Sequence, residues 1–148
     1  MKTFMRKVIM ALVCLLAVQT TVMAGNDKII SQTSLPAVAQ QIIKKHFKGK
    51  KVAVAKMENN IINKNYDVIF ANGDKIEFDR NGNWTEVDCK NSSVPAMLVP
   101  TAISKYVKSN YSGARIIKIE KDKSEYEIKL STGTEITFNK HFQVTDID

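Results

Sequence analysis

Apolar and polar residues alternate along most of the chain. Tyr126, Ile128 and Leu130 fall on one parity, with Glu127 and Lys129 between them, and Tyr66, Val68 and Phe70 form a matching inner row. Ile76 with Phe78, and Ile136 with Phe138, continue the pattern. A period of two is that of a strand, and half-polar alternation indicates antiparallel sheet with one face packed and one face wet. Strands are predicted near Lys51 to Met57, Asn65 to Phe70, Lys75 to Asp79 and Trp84 to Cys89, with counterparts further on. The joints Asn72-Gly73-Asp74 and Thr132-Gly133-Thr134 read as hairpin turns. Two segments switch to helical spacing: Leu35, Val38, Ala39, Ile42, Ile43 and Phe47, then Val99, Ile103, Tyr106, Val107 and Tyr111. Each opens near a proline and stops before a glycine, and Ser34 is a plausible cap for the first.

The sequence also resembles itself. "YDVIFANGDKIEFDRNGNWTEVD" from Tyr66 matches "YEIKLSTGTEITFNKHFQVTDID" from Tyr126 without a gap, pairing Gly73 with Gly133 and Phe78 with Phe138. Upstream, Pro36 aligns with Pro100, Phe47 with Tyr111 and Gly49 with Gly113; the length difference falls in the polar "ENNIINKN", where a surface loop tolerates insertion. The expected fold class is therefore α+β, a tandem repeat in which each unit is one helix packed on an antiparallel sheet of about four strands. The expected organisation is a leader over 1–24, an N-terminal tail over 25–33, a first repeat over 34–90, and a linker with the second repeat over 91–148. "KNSSVPAMLVP" reads as that linker.

The leader changes the charge and the compartment. Lys2, Arg6 and Lys7 precede an uncharged apolar run from Val8 to Val18 and the small-residue site Val22-Met23-Ala24, the layout of a secretory signal peptide. The run is short of the roughly 20 residues a membrane-spanning helix needs, and bulky Val13 before Cys14 argues against lipid attachment. Cleavage near Ala24 predicts a periplasmic or secreted protein with no integral membrane segment. Removing the leader's three cations leaves 19 basic against 15 acidic residues, +4 in place of +7. The lysines are spread along the chain, which gives nucleic-acid binding no support. Cys89 alone remains, so no internal disulfide can form, and it reads as a small buried hydrophobe.

These features resemble the PepSY-like family, whose fold is like that of beta-lactamase inhibitor proteins. The resemblance rests on a helix opening on proline and closing on an aromatic plus glycine, then Tyr-x-Val/Ile, then Gly-x-x-Ile-x-Phe, then a final strand ending in aspartate, as in Tyr66 to Asp88 and Tyr126 to Asp148. It implies exported bacterial proteins of tandem helix-plus-sheet units. Related inhibitors grip an enzyme with the exposed concave sheet, and PepSY domains are linked to restraint of peptidases. The chain lacks the internal disulfides of those inhibitors, and no inhibitory residue set maps onto it position by position.

Candidate chemistry is sparse. His46 and His141 are the only histidines, they do not align with one another, and no cluster of zinc ligands is visible. There is no nucleophile elbow or phosphate-binding glycine loop, and Ser92 and Ser93 have no basic partner nearby in the sequence. Asp146 and Asp148 suit the charge of an edge strand. Asp79-Arg80-Asn81-Gly82 lacks the further oxygens and closing carboxylate of a calcium loop and reads as a turn. No cofactor, metal or catalytic residue is expected. The expected function is a monomeric, non-enzymatic interaction module binding an unidentified protein through its exposed sheet face. Trp84, Arg80, Tyr66 and Tyr126 are the candidate contacts, since aromatic residues and arginine are enriched at interfaces. A second possibility is binding of an acidic envelope polymer or membrane surface by Lys44, Lys45, Lys48, Lys50 and Lys51 at the end of the first helix, and a third, weaker one is a small enzyme whose site no motif marks.

Overall fold

The computed structural model describes residues 27–59 and 61–148. The signal-peptide reading and its cleavage point at Ala24 lie outside them. Nine strands follow in chain order: β1 (Asp27–Ile30), β2 (Val52–Asn59), β3 (Lys64–Phe70), β4 (Lys75–Phe78), β5 (Trp84–Asp88), β6 (Ile116–Lys121), β7 (Glu125–Leu130), β8 (Glu135–Asn139) and β9 (Val144–Ile147). Helix α1 (Ala37–His46) lies between β1 and β2, and α2 (Thr101–Asn110) between β5 and β6. The strands form one antiparallel sheet in which spatial order equals chain order.

A single apolar row crosses the entire sheet. Ile30, Ala55, Val68, Ile76, Val87, Ile119, Ile128, Ile136 and Ile147 are successive register partners. From Val68 to Ile136 its members are buried. Because side chains alternate at a period of two, this row fixes which face is the core. Both helices cover that face. Helix α1 buries Ala39 and Ile43, and Phe47 at its end stacks on Phe70 with ring centroids 4.9 Å apart. Helix α2 buries Ile103 and Val107, and Tyr106 meets Phe138 edge-on at 5.4 Å. The cations Lys44 and Lys45 occupy the last turn of α1, where they complement the helix dipole, while burial and the neighbouring Lys45 lower the His46 imidazole and favour its neutral form. Gly82, at φ +86°, lets the start of α1 settle on the β4–β5 turn. A Cβ there would stand 2.8 Å from the Pro36 Cβ and 2.9 Å from the Ala39 nitrogen.

The tandem-repeat expectation is corrected by this sheet. The structure is not two units of one helix on about four strands. It is mostly one nine-stranded antiparallel sheet, with two helices lying on it over a common hydrophobic core. The physical reason is the seam between β5 and β6, where Glu86, Val87 and Asp88 pair with Glu120, Ile119 and Lys118. Two separate small sheets would each expose an unpaired edge at this point, and pairing removes both. The stretch read as a linker reinforces the seam: the Cys89 N–H bonds to the Ile117 carbonyl at 2.7 Å, and Val94 to Ile116 at 2.9 Å. Strand β1 adds a ninth member where a tail was expected. Ser34 does not cap α1; it ends a 3-10 turn over Gln32–Ser34, and Pro36 stands at the cap without a side-chain bond.

Candidate functional site

Each member of the apolar row has a sequence neighbour on the bare face of the sheet, and those neighbours are also register partners. They run Lys56, Asp67, Glu77, Glu86, Glu120, Glu127, Thr137 and Asp146. Five carboxylates thus stand on consecutive strands, and the pairs Glu77–Glu86, Glu86–Glu120 and Glu120–Glu127 set like charges directly opposite, an arrangement that destabilises a sheet. Two lysines, one pleat along the same face, offset it. Lys75 Nζ lies 2.7 Å from Glu77 and 3.7 Å from Asp67, and Lys118 Nζ lies 2.9 Å from Glu86 and 3.1 Å from Glu120.

The glutamates of the row are half-buried, Asp67 and Thr137 are buried at 9% and 1% exposure, and the protonation follows from that. Burial, then the neighbouring Glu86 charge, pushes the Glu77 carboxyl up to about 7. Glu120 is raised to about 7 by burial, with Lys118 opposing and Glu86 adding to the shift. Burial also acts on Glu86, but a hydrogen bond from Glu77 and the Lys118 ammonium outweigh it and hold that carboxyl below its usual range. The pair Glu77–Glu86 therefore shares a proton near neutrality, with Glu86 the more anionic partner. Asp67 is raised by burial, with Lys75 opposing.

The candidate aromatic residues lie on the helix-bearing face instead. Met57, Tyr66, Phe78 and Trp84 are successive partners, and Lys121, Tyr126 and Phe138 continue across the next strands. Tyr66 and Trp84 are buried, at 6% and 7% exposure. The Lys121 ammonium sits 3.9 Å from the Trp84 ring centroid. Trp84 and Tyr126 come together in a shallow groove of about 340 Å³, lined also by Met97, Pro100, Thr101 and Lys121. Arg80 is exposed in the β4–β5 turn. That turn is built as a turn: Asp79 Oδ1 accepts the N–H groups of Asn81 at 2.8 Å and Asn83 at 3.0 Å.

One constellation was invisible in the sequence. Lys50 Nζ donates to Asp74 Oδ2 at 2.8 Å and to Ser92 Oγ at 2.9 Å, while Ser92 Oγ donates to Asp74 Oδ2 at 2.6 Å. So Ser92 does have a basic partner, 42 residues away. The serine proton points at a poor base, however. Burial would raise the Asp74 carboxyl, but hydrogen bonds from Lys50, Ser92 and Asn72 hold it below the usual range. The arrangement works as a clasp joining the α1–β2 loop, the β3–β4 turn and the segment after β5. It also withdraws Lys50 from the lysine group at the helix end. Cys89 beside it is buried, and burial pushes its thiol up to about 11, out of the reactive range. Among the described residues no group of three or more His, Cys, Asp or Glu could hold a metal ion, and no helix is long and apolar enough to cross a membrane.

A family described as putative beta-lactamase-inhibitor-like, PepSY-like matches residues 64–146. Solved structures match most of the chain. A putative calcium-regulated periplasmic protein from Bacteroides thetaiotaomicron is 54% identical, with TM-score 0.83, over 85% of this chain and 99% of that one. A putative periplasmic protein from Bacteroides vulgatus is 56% identical, with TM-score 0.82, over 85% and 99%. A second protein from the same organism, of unknown function, is 40% identical, with TM-score 0.78, over 82% and 98%. No curated protein matches the chain.

Proposed function

The chain belongs to the beta-lactamase-inhibitor-like, PepSY-like family, and on that premise we propose that it is a periplasmic protein-interaction module without catalysis of its own, taking a protein with a basic surface on the carboxylate row of its bare sheet face. The observation that carries this reading is the register of Glu77, Glu86, Glu120 and Glu127. Like charges opposite one another lower the stability of the free protein, and a cationic partner would relieve that repulsion on docking. Complementary charge also steers encounter and selects partners. The periplasmic relatives support the compartment. Trp84, Tyr126 and Arg80 are secondary contacts in this reading, around the groove at the sheet's end, and buried Tyr66 supports them from the core.

The test is capture from a periplasmic extract on the immobilised protein and on its E77Q/E120Q variant, with salt raised to about 0.5 M to screen surface charge. The expected result is a protein retained by the wild type, released by salt and absent from the variant. Equal retention by the two proteins would remove the carboxylate row from the account.

A further inference from the structure

The strands run back and forth, so the turns at residues 61–63, 79–83, 122–124 and 140–143 all lie at one end of the sheet. The 3-10 turn Ala96–Leu98 lies there too, since Met97 and Trp84 line one groove. This hairpin end gathers most of the large apolar side chains left in solvent. Ile61 and Ile62, on the tip of the β2–β3 loop, are 104% and 86% exposed, and Met97 is 78% exposed. Phe142, also exposed, is held at φ +61°, the left-handed region that a phenylalanine rarely occupies, and its ring lies 5.5 Å from that of Tyr126. Gly82 holds the same place in the β4–β5 turn at φ +86°, so the left-handed backbone is a requirement of the turn that Phe142 also meets.

The charges of these turns are sorted by sign. Asp79 folds back onto the N–H groups of Asn81 and Asn83, and Asp122 onto those of Ser124 and Glu125. The cations Lys64, Arg80, Lys123 and Lys140, one in or beside each turn, are exposed, with the Lys64 ammonium 5.8 Å from the Tyr66 ring centroid. Exposed apolar side chains ringed by cations match the interfacial region of an anionic bilayer, which takes apolar groups below its headgroups and attracts each nearby cation.

We infer that the hairpin end is a lipid-docking surface, in which Ile61 and Ile62 enter an anionic membrane, Met97 and Phe142 lie against it, and Lys64, Arg80, Lys123 and Lys140 meet its headgroups. Docked this way, the strands stand off the membrane and the carboxylate row stays open to a protein partner. The docking does not depend on that partner. It also differs from binding through Lys44, Lys45 and Lys48, which sit at the opposite end of the sheet, where α1 terminates beside Phe70.

The experiment is co-sedimentation of the chain from Gly25 onward, free of the apolar leader, with vesicles of phosphatidylcholine alone or with about one third phosphatidylglycerol added to supply anionic charge. The expected result is binding to the anionic vesicles only, roughly tenfold or more weaker for I61S/I62S because two apolar side chains no longer leave water. Ile61 is fully and Ile62 largely exposed in the free protein, so circular dichroism should show the variant folded. K44E/K45E should bind like the wild type. No binding to anionic vesicles, or binding abolished by K44E/K45E and unchanged in I61S/I62S, would overturn the inference.

Discussion

Asp74 shows what a single residue does in this fold. Its carboxylate is fully buried and takes hydrogen bonds from Lys50, Ser92 and Asn72, holding together three segments that the chain visits far apart. Removing one member of a buried charged network leaves its partners uncompensated. Asp74→Ala should therefore lower unfolding free energy by about 2–4 kcal/mol in urea denaturation. The sign with pH is fixed by the depressed carboxyl. The contribution is present above the ordinary aspartate value of about 4 and is lost as pH falls through the lower folded-state value. Wild type and D74A should accordingly converge in stability in acid. Unchanged stability at neutral pH would show that the clasp contributes nothing.

At the scale of elements, the seam between β5 and β6 makes the molecule one cooperative unit. Val87 is fully buried and pairs with Ile119 across it. Calorimetry should show one transition with calorimetric and van't Hoff enthalpies in agreement, and Val87→Ala should shift that transition as a whole, by roughly 2 kcal/mol. Two resolved transitions would mean that the halves fold apart. The strands are legible in the sequence and this seam is not. Alternation in Tyr66-Val68-Phe70 and Tyr126-Ile128-Leu130 signalled strands because the period is local, and Asn72-Gly73-Asp74 signalled a turn for the same reason. The pairing of Asp88 with Lys118 has no local signal at all. "KNSSVPAMLVP" carries the turn-forming residues of a linker, yet Val94 bonds to the chain across the seam. The site was hidden by the same limit. Glu77, Glu86 and Glu120 stand apart in the chain, and only the register lines them up. Trp84 attracted attention by its residue type; it is 7% exposed, has Lys121 over its ring, and borders the groove it shares with Tyr126.

For the whole molecule, the sheet separates two tasks. One face buries a continuous apolar row under two helices; the other carries a carboxylate row that works against the fold. Glu77 and Glu120 are raised to about 7, so the folded protein holds their protons more tightly than the unfolded chain, where glutamate titrates near 4.3. Their stabilising protons are in place below the unfolded value and are lost as pH rises through about 7. The row therefore weakens the fold in the range where its negative charge is available to a partner. The most direct measurement is urea denaturation of the wild type and E77Q/E120Q at pH 5 and pH 8. The expected result is a variant more stable than the wild type at pH 8, with a clearly smaller gap at pH 5, where Glu77 and Glu120 have regained their protons in the fold. A variant that is less stable at pH 8 would contradict it, because the carboxylate row would then be part of what holds the sheet together.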